Sequence, residues 1–197
     1  MLGRSRPSKY PETVTPRNSR RSREREVVAA VCYRVRGADV DFLLVKTGSG
    51  RWTFPKGGVE PGMTRAQAAA MEALEEAGVH GHIEEAFFTR YHKHKNNDDN
   101  APGNPIHAHL CQVLRHGPPV EGDRDPTWFS ADRAKRRLRA DRKTAQGDEL
   151  ARVVDRAVER VRRLHATELN EGPEPLKKVR FERESRPAPD FRDVPRF

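Results

Sequence analysis

The sequence has only two cysteines, no long apolar run and few apolar residues for its length, and each shortage excludes a class of protein. Cys32 and Cys111 are too few for a disulfide-rich secreted domain, and both lie in apolar stretches that are typical of buried, reduced thiols. No run approaches the roughly 20 apolar residues that a membrane-spanning helix needs. The segment after Met1 also lacks the apolar centre of a secretory signal, so we expect a cytoplasmic protein without membrane contact.

Charged residues are abundant, but the basic surplus lies outside the central part of the 197-residue chain. The 38 Lys and Arg residues exceed the 29 Asp and Glu residues by nine. Residues 27–130 carry 11 basic and 13 acidic side chains, whereas residues 1–26 and 131–169 each have a net charge of +5. A basic face on the fold itself would favour nucleic-acid binding, and a basic tail is weaker evidence for it. Nucleic acid is therefore not the favoured partner.

Composition divides the chain into three parts. Residues 1–25 are basic and serine-rich, contain three prolines and have no hydrophobic centre, which predicts a disordered tail. Residues 170–197 form a second polar tail, with five prolines. Residues 26–169 hold the periodic apolar segments and are long enough for one well-buried domain.

Strands and helices alternate between the two tails, which predicts a mixed α/β domain. Apolar, β-branched runs predict strands at 27–35, 42–46, 83–91, 106–114 and 128–129, with a short extended piece at 51–54. A cluster of glycines and prolines predicts a loop at 55–62. Apolar patterns of period 3.6 predict helices at 64–77, 130–140 and 146–166, the last of them amphipathic.

The ends of the first predicted helix are marked by capping residues. Thr64 and Gln67 have the spacing of a capping box at its start. Gly78 provides a residue that adopts the left-handed conformation at its end without strain. The helix between these caps is rich in alanine, which favours both helix formation and close packing on a sheet.

Three glutamates on this helix suggest a metal site. At 100° per residue, Glu72, Glu75 and Glu76 fall within about 100° of one another on one face. Carboxylates at this spacing repel one another, and oxygen ligands of this kind are what Mg²⁺ prefers in proteins. A loop that contains Lys56 and two glycines precedes the helix, and such a loop can approach phosphate closely.

Residues 57–79, GGVEPGMTRAQAAAMEALEEAGV, resemble the Nudix box. That motif runs Gly, five residues, Glu, seven residues, then Arg-Glu-apolar-any-Glu-Glu-any-Gly-apolar. Gly57 matches its first glycine, and the stretch from Glu72 to Val79 matches its second half in register. The resemblance extends over about residues 26–140, through RWTFPKGG before the box and WFS after it. It implies an α/β/α sandwich with a mixed β-sheet, in which the metal-binding helix follows the Gly-rich loop.

Two positions depart from the Nudix box. Met63 stands where the motif has its first glutamate, and Met71 stands where it has arginine. In the family this arginine orients neighbouring carboxylates, so its loss leaves Glu72 and Glu75 without a cationic partner. A lost charge-assisted hydrogen bond costs about 1–3 kcal/mol. The three glutamates remain, and we therefore expect an altered but active site.

The resemblance implies a Mg²⁺-dependent pyrophosphohydrolase, with Mn²⁺ as an alternative ion. Glu72, Glu75 and Glu76 would bind the metal, and Glu75 would also act as the catalytic base. The substrate would be a phosphorylated small molecule held by loop glycines and rim cations. The predicted substrate-binding residues are Lys46, Arg51, Lys56, Gly57, Gly58, Arg90, His92 and Lys93.

Three functions remain open from the sequence. The PKG loop and the EALEEAGV ending resemble the branch that hydrolyses diadenosine and diphosphoinositol polyphosphates, which favours a highly phosphorylated substrate. The second interpretation is an ADP-ribose or NDP-sugar pyrophosphatase. The third is a catalytically weak domain that binds nucleotide or RNA, and Met63 and Met71 favour it.

Two histidine pairs provide a further hypothesis. His92 with His94, and His107 with His109, have the spacing that places side chains on one face of a strand. Four imidazoles on neighbouring strands could bind Zn²⁺. The favoured interpretation is that His92 and His94 line the substrate cleft on either side of Lys93.

Overall fold

The computed structural model describes residues 25–92, 103–171 and 178–180. The strands are β1 (Val27–Arg36), β2 (Asp39–Lys46), β3 (Trp52–Thr53), β4 (Lys56–Gly58), β5 (Val79–Glu84), β6 (Thr89–His92), β7 (Pro105–His116), β8 (Thr127–Ser130) and β9 (Lys178–Arg180). The helices are α1 (Arg65–Ala77), α2 (Ala131–Arg139) and α3 (Thr144–Glu171). No helix in these ranges is long and apolar enough to cross a membrane.

The nine strands form one mixed sheet with β1 near its centre. β1 pairs in parallel with β7, from Val27 opposite Ile106 to Tyr33 opposite Gln112. On its other edge β1 pairs antiparallel with β4 and then with β2. All remaining strand pairs are antiparallel. The predicted α/β fold with a mixed sheet is therefore confirmed.

Helices cover both faces of this sheet. Alternate residues of β1 belong to two hydrophobic clusters, since Ala29 and Val31 face one side and Val28 and Ala30 the other. α1 packs on the second side through its alanines. On the first side α3 packs through the aliphatic stripe predicted for it, whose fully buried members are Leu150, Val153, Val154, Ala157 and Val161. The result is a three-layer α/β/α sandwich.

The predicted ends of α1 are confirmed. The Thr64 side chain accepts a hydrogen bond from the backbone N–H of Gln67, and the Gln67 side chain accepts one from the N–H of Thr64. Gly78 ends the helix with φ of 63°. A side chain at Gly78 would overlap the carbonyl of Gly117, so glycine is required there for space as well as for conformation.

Two of the sequence predictions on the strands are wrong. The segment predicted as the loop 55–62 contains β4, because residues 56–58 pair with β1. The strand predicted at 83–91 is two strands, since β5 pairs with the second half of β7 and β6 with its first half. Both strands pair antiparallel with β7, and residues 85–88 lie between them. The helix predicted at 146–166 is also longer, because α3 extends from Thr144 to Glu171.

The two predicted tails lie mainly outside the described residues. Within the predicted C-terminal tail, β9 pairs antiparallel with β5, which the sequence did not indicate. Cys32 and Cys111 face each other on β1 and β7 and are both buried and free, as expected. A hydrogen bond with the Cys111 thiol, together with burial, raises the pKa of Cys32 well above its usual value.

Candidate active site

Glu76 is the most deeply placed of the three glutamates on α1. Its side chain is 3% exposed, although a carboxylate in that position needs hydrogen-bond donors. The backbone N–H of Lys56 donates to its Oε2 at 3.1 Å, and the guanidinium of Arg124 lies 3.0 Å from its Oε1. Burial raises the pKa of Glu76, while Lys56 and Arg124 oppose that rise. Both carboxylate oxygens are thus held in place.

The backbone of β4 explains why Lys56 donates to Glu76. The N–H of Ala30 donates to Pro55 and the N–H of Val59 to Glu26, at the two ends of the β1–β4 ladder. Because donors alternate in direction along an antiparallel ladder, the N–H of Gly57 is directed to β1 and those of its neighbours away from β1. The ladder therefore uses the Gly57 amide, which the sequence analysis had assigned to phosphate.

Gly57 has a steric role instead. A Cβ atom at this position would overlap the carboxylate of Glu72, so a side chain at residue 57 would displace that carboxylate from its present position. Burial raises the pKa of Glu72 to about 7, with smaller contributions from the charges of Glu76, Glu75 and Glu121, and with Lys56 acting in the opposite direction. Burial therefore disfavours the ionised form of Glu72 more than the charge of Lys56 favours it.

Glu75 is half-buried and lines an open cavity of about 320 Å³ beside α1. The cavity is also lined by Glu72 and by both departures from the box, Met63 and Met71. A thioether supplies no charge, so neither methionine can hold the carboxylates as the arginine of the box would.

The loop that joins β7 to β8 adds two charged residues that sequence reasoning missed. The Nε of Arg124 donates to Oε2 of Glu121 at 2.6 Å, while the same guanidinium contacts Glu76. The Glu121 backbone N–H donates to the carbonyl of Glu75, which fixes the loop on α1. The only sequence signal for this contact is a short acidic and basic cluster, EGDRD, at a distance from the helix. Such a cluster is also typical of an ordinary exposed loop.

The predicted rim cations lie in different environments. Nζ of Lys46 lies 2.7 Å from Oδ2 of Asp125 and 5.1 Å from the centre of the Trp52 ring. Arg51 is exposed and donates to Ser49. A further cation, Arg142, donates to the carbonyls of Trp52 and Leu138. Burial lowers the pKa of Arg142, and the nearby charge of Arg51 lowers it further.

The remaining predicted substrate-binding residues are not all brought together. Gly58 lies against the side chain of Arg25. Arg90 is paired in register with His107. His92 approaches Glu149 of α3, through its backbone N–H at 3.1 Å and its Nδ1 at 3.0 Å. Lys93 lies outside the described residues.

The four-histidine zinc hypothesis is not supported where the structure describes the residues. His92 contacts α3, whereas Nδ1 of His109 contacts the backbone carbonyl of Glu84. His107 lies beside Glu26 and under the ring of Phe87. His94 lies outside the described residues. Equal spacing on two strands does not fix where each side chain points, because the neighbouring elements decide it.

The carboxylates on α1 fit a divalent cation by their chemistry. Glu72, Glu75 and Glu76 supply oxygen ligands, and burial together with the charges of the other two glutamates raises the pKa of Glu72, an effect that a bound cation would oppose. Among the described residues, however, no three His, Cys, Asp or Glu side chains converge as a metal-binding group. Instead, Glu76 is engaged by Arg124 and Lys56. Glu72 and Glu75 would therefore have to move toward Glu76 for the three carboxylates to share one ion.

Comparison with known proteins gives a family match over most of the chain. The NUDIX domain family model matches residues 24–151. "Nudix hydrolase 4" from Arabidopsis thaliana is 32% identical over 120 residues. That alignment covers 56% of this chain and 58% of the plant protein, so this chain spans less than two thirds of the length of that relative.

Two solved structures have a similar fold. A Caenorhabditis elegans Ap4A hydrolase binary complex is 21% identical, with a TM-score of 0.54, and the match covers 70% of this chain and 98% of that one. The NUDIX domain of Shewanella oneidensis NrtR, complexed with ADP ribose, is 17% identical, with a TM-score of 0.52. That match covers 68% of this chain and 86% of the NrtR domain chain. At these identities the two structures support the fold alone.

Proposed function

Because this chain belongs to the Nudix family, we propose that it hydrolyses a diphosphate linkage in a phosphorylated small molecule. The observation that carries the proposal is the set of carboxylates on α1, in which Glu72 has a pKa of about 7 and Glu76 is 3% exposed. Acidic side chains kept buried and close together destabilise a fold, and a bound cation offsets that cost.

We assign Glu72, Glu75 and Glu76 as the residues that bind Mg²⁺, with Mn²⁺ as the alternative ion. The ion would neutralise charge on the diphosphate oxygens. Glu75 is not engaged by Arg124 in the way that Glu76 is, so its carboxylate is the candidate to accept the proton of the attacking water. Lys56 would hold the phosphate, and Lys46 and Arg51 would contact the far end of the substrate.

We propose a nucleoside or diphosphoinositol polyphosphate as the substrate class. Three cations lie near one another around β3. Lys46 lies over the Trp52 ring, and Arg142 donates a hydrogen bond to the Trp52 carbonyl. The charge of Arg51 lowers the pKa of Arg142. A series of positive charges suits a substrate with several phosphates. ADP-ribose or an NDP-sugar, which carries a single diphosphate, is the second candidate.

The test is a panel of phosphorylated substrates with Mg²⁺, together with the Glu76→Gln variant. The panel would contain diadenosine tetraphosphate, a diphosphoinositol polyphosphate, ADP-ribose and an NDP-sugar. We expect Glu76→Gln to lower turnover by about 10³-fold, because the amide loses a charged metal ligand without a change of shape. Circular dichroism would verify that the fold is intact.

Glu159→Gln is the matched control. Glu159 is an exposed glutamate that pairs with Arg163 on α3, the helix on the opposite face of the sheet from α1. Near-normal turnover by Glu76→Gln would contradict the assignment of that residue. Equal rates on ADP-ribose and on the polyphosphates would contradict the substrate class alone.

A catalytically weak domain that binds nucleotide or RNA is the alternative function. The observation that favours it is the cavity where Met63 and Met71 stand in place of charged residues of the box. Nucleotide binding without product formation across the whole panel would support this alternative over hydrolysis. For RNA, affinity would fall steeply with salt.

The domain limits and the cellular location also remain proposals. We propose that residues 26–169 form the catalytic domain, with residues 1–25 and 170–197 as flanking segments, the second of which adds β9 to the sheet. The family match at residues 24–151 supports the first limit, and the extension of α3 to Glu171 supports the second. We propose a cytoplasmic location.

A further inference from the structure

The structure shows which cation contacts a glutamate of α1 although the arginine of the box is missing. Met71 occupies that position and lines a cavity with Glu72 and Glu75. Glu76 nevertheless has a guanidinium partner, because Arg124 lies 3.0 Å from its Oε1. This arginine comes from the loop between β7 and β8 and not from α1.

Arg124 is held firmly enough to position another side chain. Its side chain is 24% exposed, and its Nε donates to Glu121 at 2.6 Å while its Nη2 contacts Glu76. Its backbone carbonyl accepts a hydrogen bond of 2.6 Å from the N–H of Lys46. An arginine that is fixed through both its backbone and its side chain loses little further conformational entropy when its guanidinium orients a carboxylate.

The loop that carries Arg124 is fixed to α1 at two further points. The N–H of Gly117 donates to the carbonyl of Gly78, and the N–H of Glu121 donates to the carbonyl of Glu75, each at 2.9 Å. The helix with the carboxylates and the loop with the cation are therefore joined through the backbone, so that the position of Arg124 relative to Glu76 does not depend on side chains alone.

We propose that Arg124 is the positioning residue for Glu76, in a box whose own arginine position is occupied by Met71. With Lys56 on one oxygen of Glu76 and Arg124 on the other, the carboxylate has one orientation in which to meet a divalent ion. This inference rests on the proposed function, because it assigns a task within the proposed metal site. Partners that orient metal ligands typically affect metal affinity by about 10- to 100-fold.

The experiment is a titration of Mn²⁺ alone, without substrate, into the full chain and its Arg124→Met and Arg124→Lys variants. We expect Arg124→Met to bind Mn²⁺ at least about ten-fold more weakly. Arg124→Lys should recover part of the affinity, because an ammonium can pair with Glu76 but cannot also hold Glu121 through a planar fork.

Arg160→Met is the matched control. Arg160 pairs through two nitrogens with Glu84, a carboxylate that is 15% exposed and belongs to β5. The variant removes an ion pair of similar geometry away from the glutamates of α1. We expect it to leave Mn²⁺ affinity unchanged, which separates a positioning role from a general effect of losing an ion pair.

Turnover provides a second readout. In Arg124→Met, the kcat at fixed Mg²⁺ should fall about ten-fold with little change in substrate KM, and saturating Mn²⁺ should restore most of it. Unaltered or tighter Mn²⁺ binding by Arg124→Met would overturn the inference, since tighter binding would mean that the guanidinium competes with the ion. If the unsubstituted chain hydrolyses nothing and yet Arg124→Met loses Mn²⁺ affinity, the proposed activity fails while the positioning role stands.

Discussion

The two faces of the sheet are packed with different kinds of side chain. On the α3 face, aliphatic residues of the helix pack against aromatic rings of the sheet, including Phe42, Phe54 and Phe129. On the α1 face the helix contributes alanines, and Glu76 is buried among its contacts with the sheet. Large apolar side chains stabilise the fold by their burial, at about 25 cal/mol per Å². Alanine contributes little burial but allows the helix backbone to come close.

The difference shows how one small domain separates stability from chemistry. The residues that α3 buries are apolar, whereas α1 buries Glu76 beside its alanines and carries Glu72, whose pKa is raised to about 7. Ionised and mutually repelling groups reduce the free energy of unfolding. We infer that the α3 face supplies the stability that allows the α1 face to keep its glutamates together. Three substitutions test this difference between the two faces.

The largest effect is expected on the α3 face. Leu150 is 4% exposed in the aliphatic stripe of α3, and Leu150→Ala should lower the free energy of unfolding by about 3 kcal/mol through lost burial and a cavity. Urea unfolding would measure this loss. Mn²⁺ affinity should not change, and Arg152→Ala, an exposed change on the same helix, is the control. A parallel loss of metal affinity in Leu150→Ala would break the separation between the faces.

A change of opposite sign is expected on the α1 face. The pKa of Glu72 is raised to about 7 in the folded protein, above the value of 4.5 that an unhindered glutamate has. Below pH 4.5 the carboxyl is protonated in both states, so it imposes no penalty. As the pH rises to 7 the unfolded chain ionises first, and the metal-free fold loses stability.

Glu72→Gln should therefore stabilise the metal-free protein at pH 8 by about 2 kcal/mol and flatten this pH dependence. The measurement is urea unfolding in the presence of a chelator at pH 5 and pH 8. With saturating Mg²⁺ the sign should reverse, because the native glutamate then gains a ligand that glutamine binds weakly. A variant less stable than the parent in chelator at pH 8 would contradict the charge argument.

The smallest effect is expected at the start of α1. The Oγ1 of Thr64 accepts a hydrogen bond of 3.1 Å from the N–H of Gln67, so Thr64→Ala should cost about 1 kcal/mol of unfolding free energy. Ser130 occupies the equivalent position of α2 but makes no side-chain capping bond. Ser130→Ala is thus the matched control, and thermal unfolding of both variants should show a loss only for Thr64→Ala.

Features that depend on neighbouring residues were predictable from the sequence. The caps at Thr64 and Gly78 and the apolar stripe of α3 follow from local conformation and from a period of 3.6 residues, which a few residues suffice to reveal. The i,i+4 spacing of Glu159 and Arg163 also accounts for their ion pair. Asp148 has Arg152 at the same spacing but contacts Arg139 of α2. A residue from another element thus outcompeted the local partner.

The parts of the site that depend on the tertiary fold were not predictable. Arg124 and Glu121 carry no periodic or motif signal, and their contact with α1 exists only because β7 brings the loop beside the end of that helix. The sequence predicted that the loss of the box arginine leaves Glu72 and Glu75 without a cationic partner. The guanidinium of Arg124 contacts the third glutamate, Glu76, and the charge of Lys56 acts on the pKa of Glu72 against the larger effect of burial.

The segment from Gly117 to Arg124 is tied to its surroundings at both ends, through Gly78 at its start and Lys46 at its end. Because both ends of this segment are fixed, its length is fixed as well. Among relatives, an insertion or deletion inside it would move Glu121 and Arg124 away from their contacts with α1. The number of residues between Gly117 and Arg124 should therefore vary less among relatives than the residue types do. A search pattern that combines this spacing with methionine at the positions of Met63 and Met71 would group the proteins that share the arrangement.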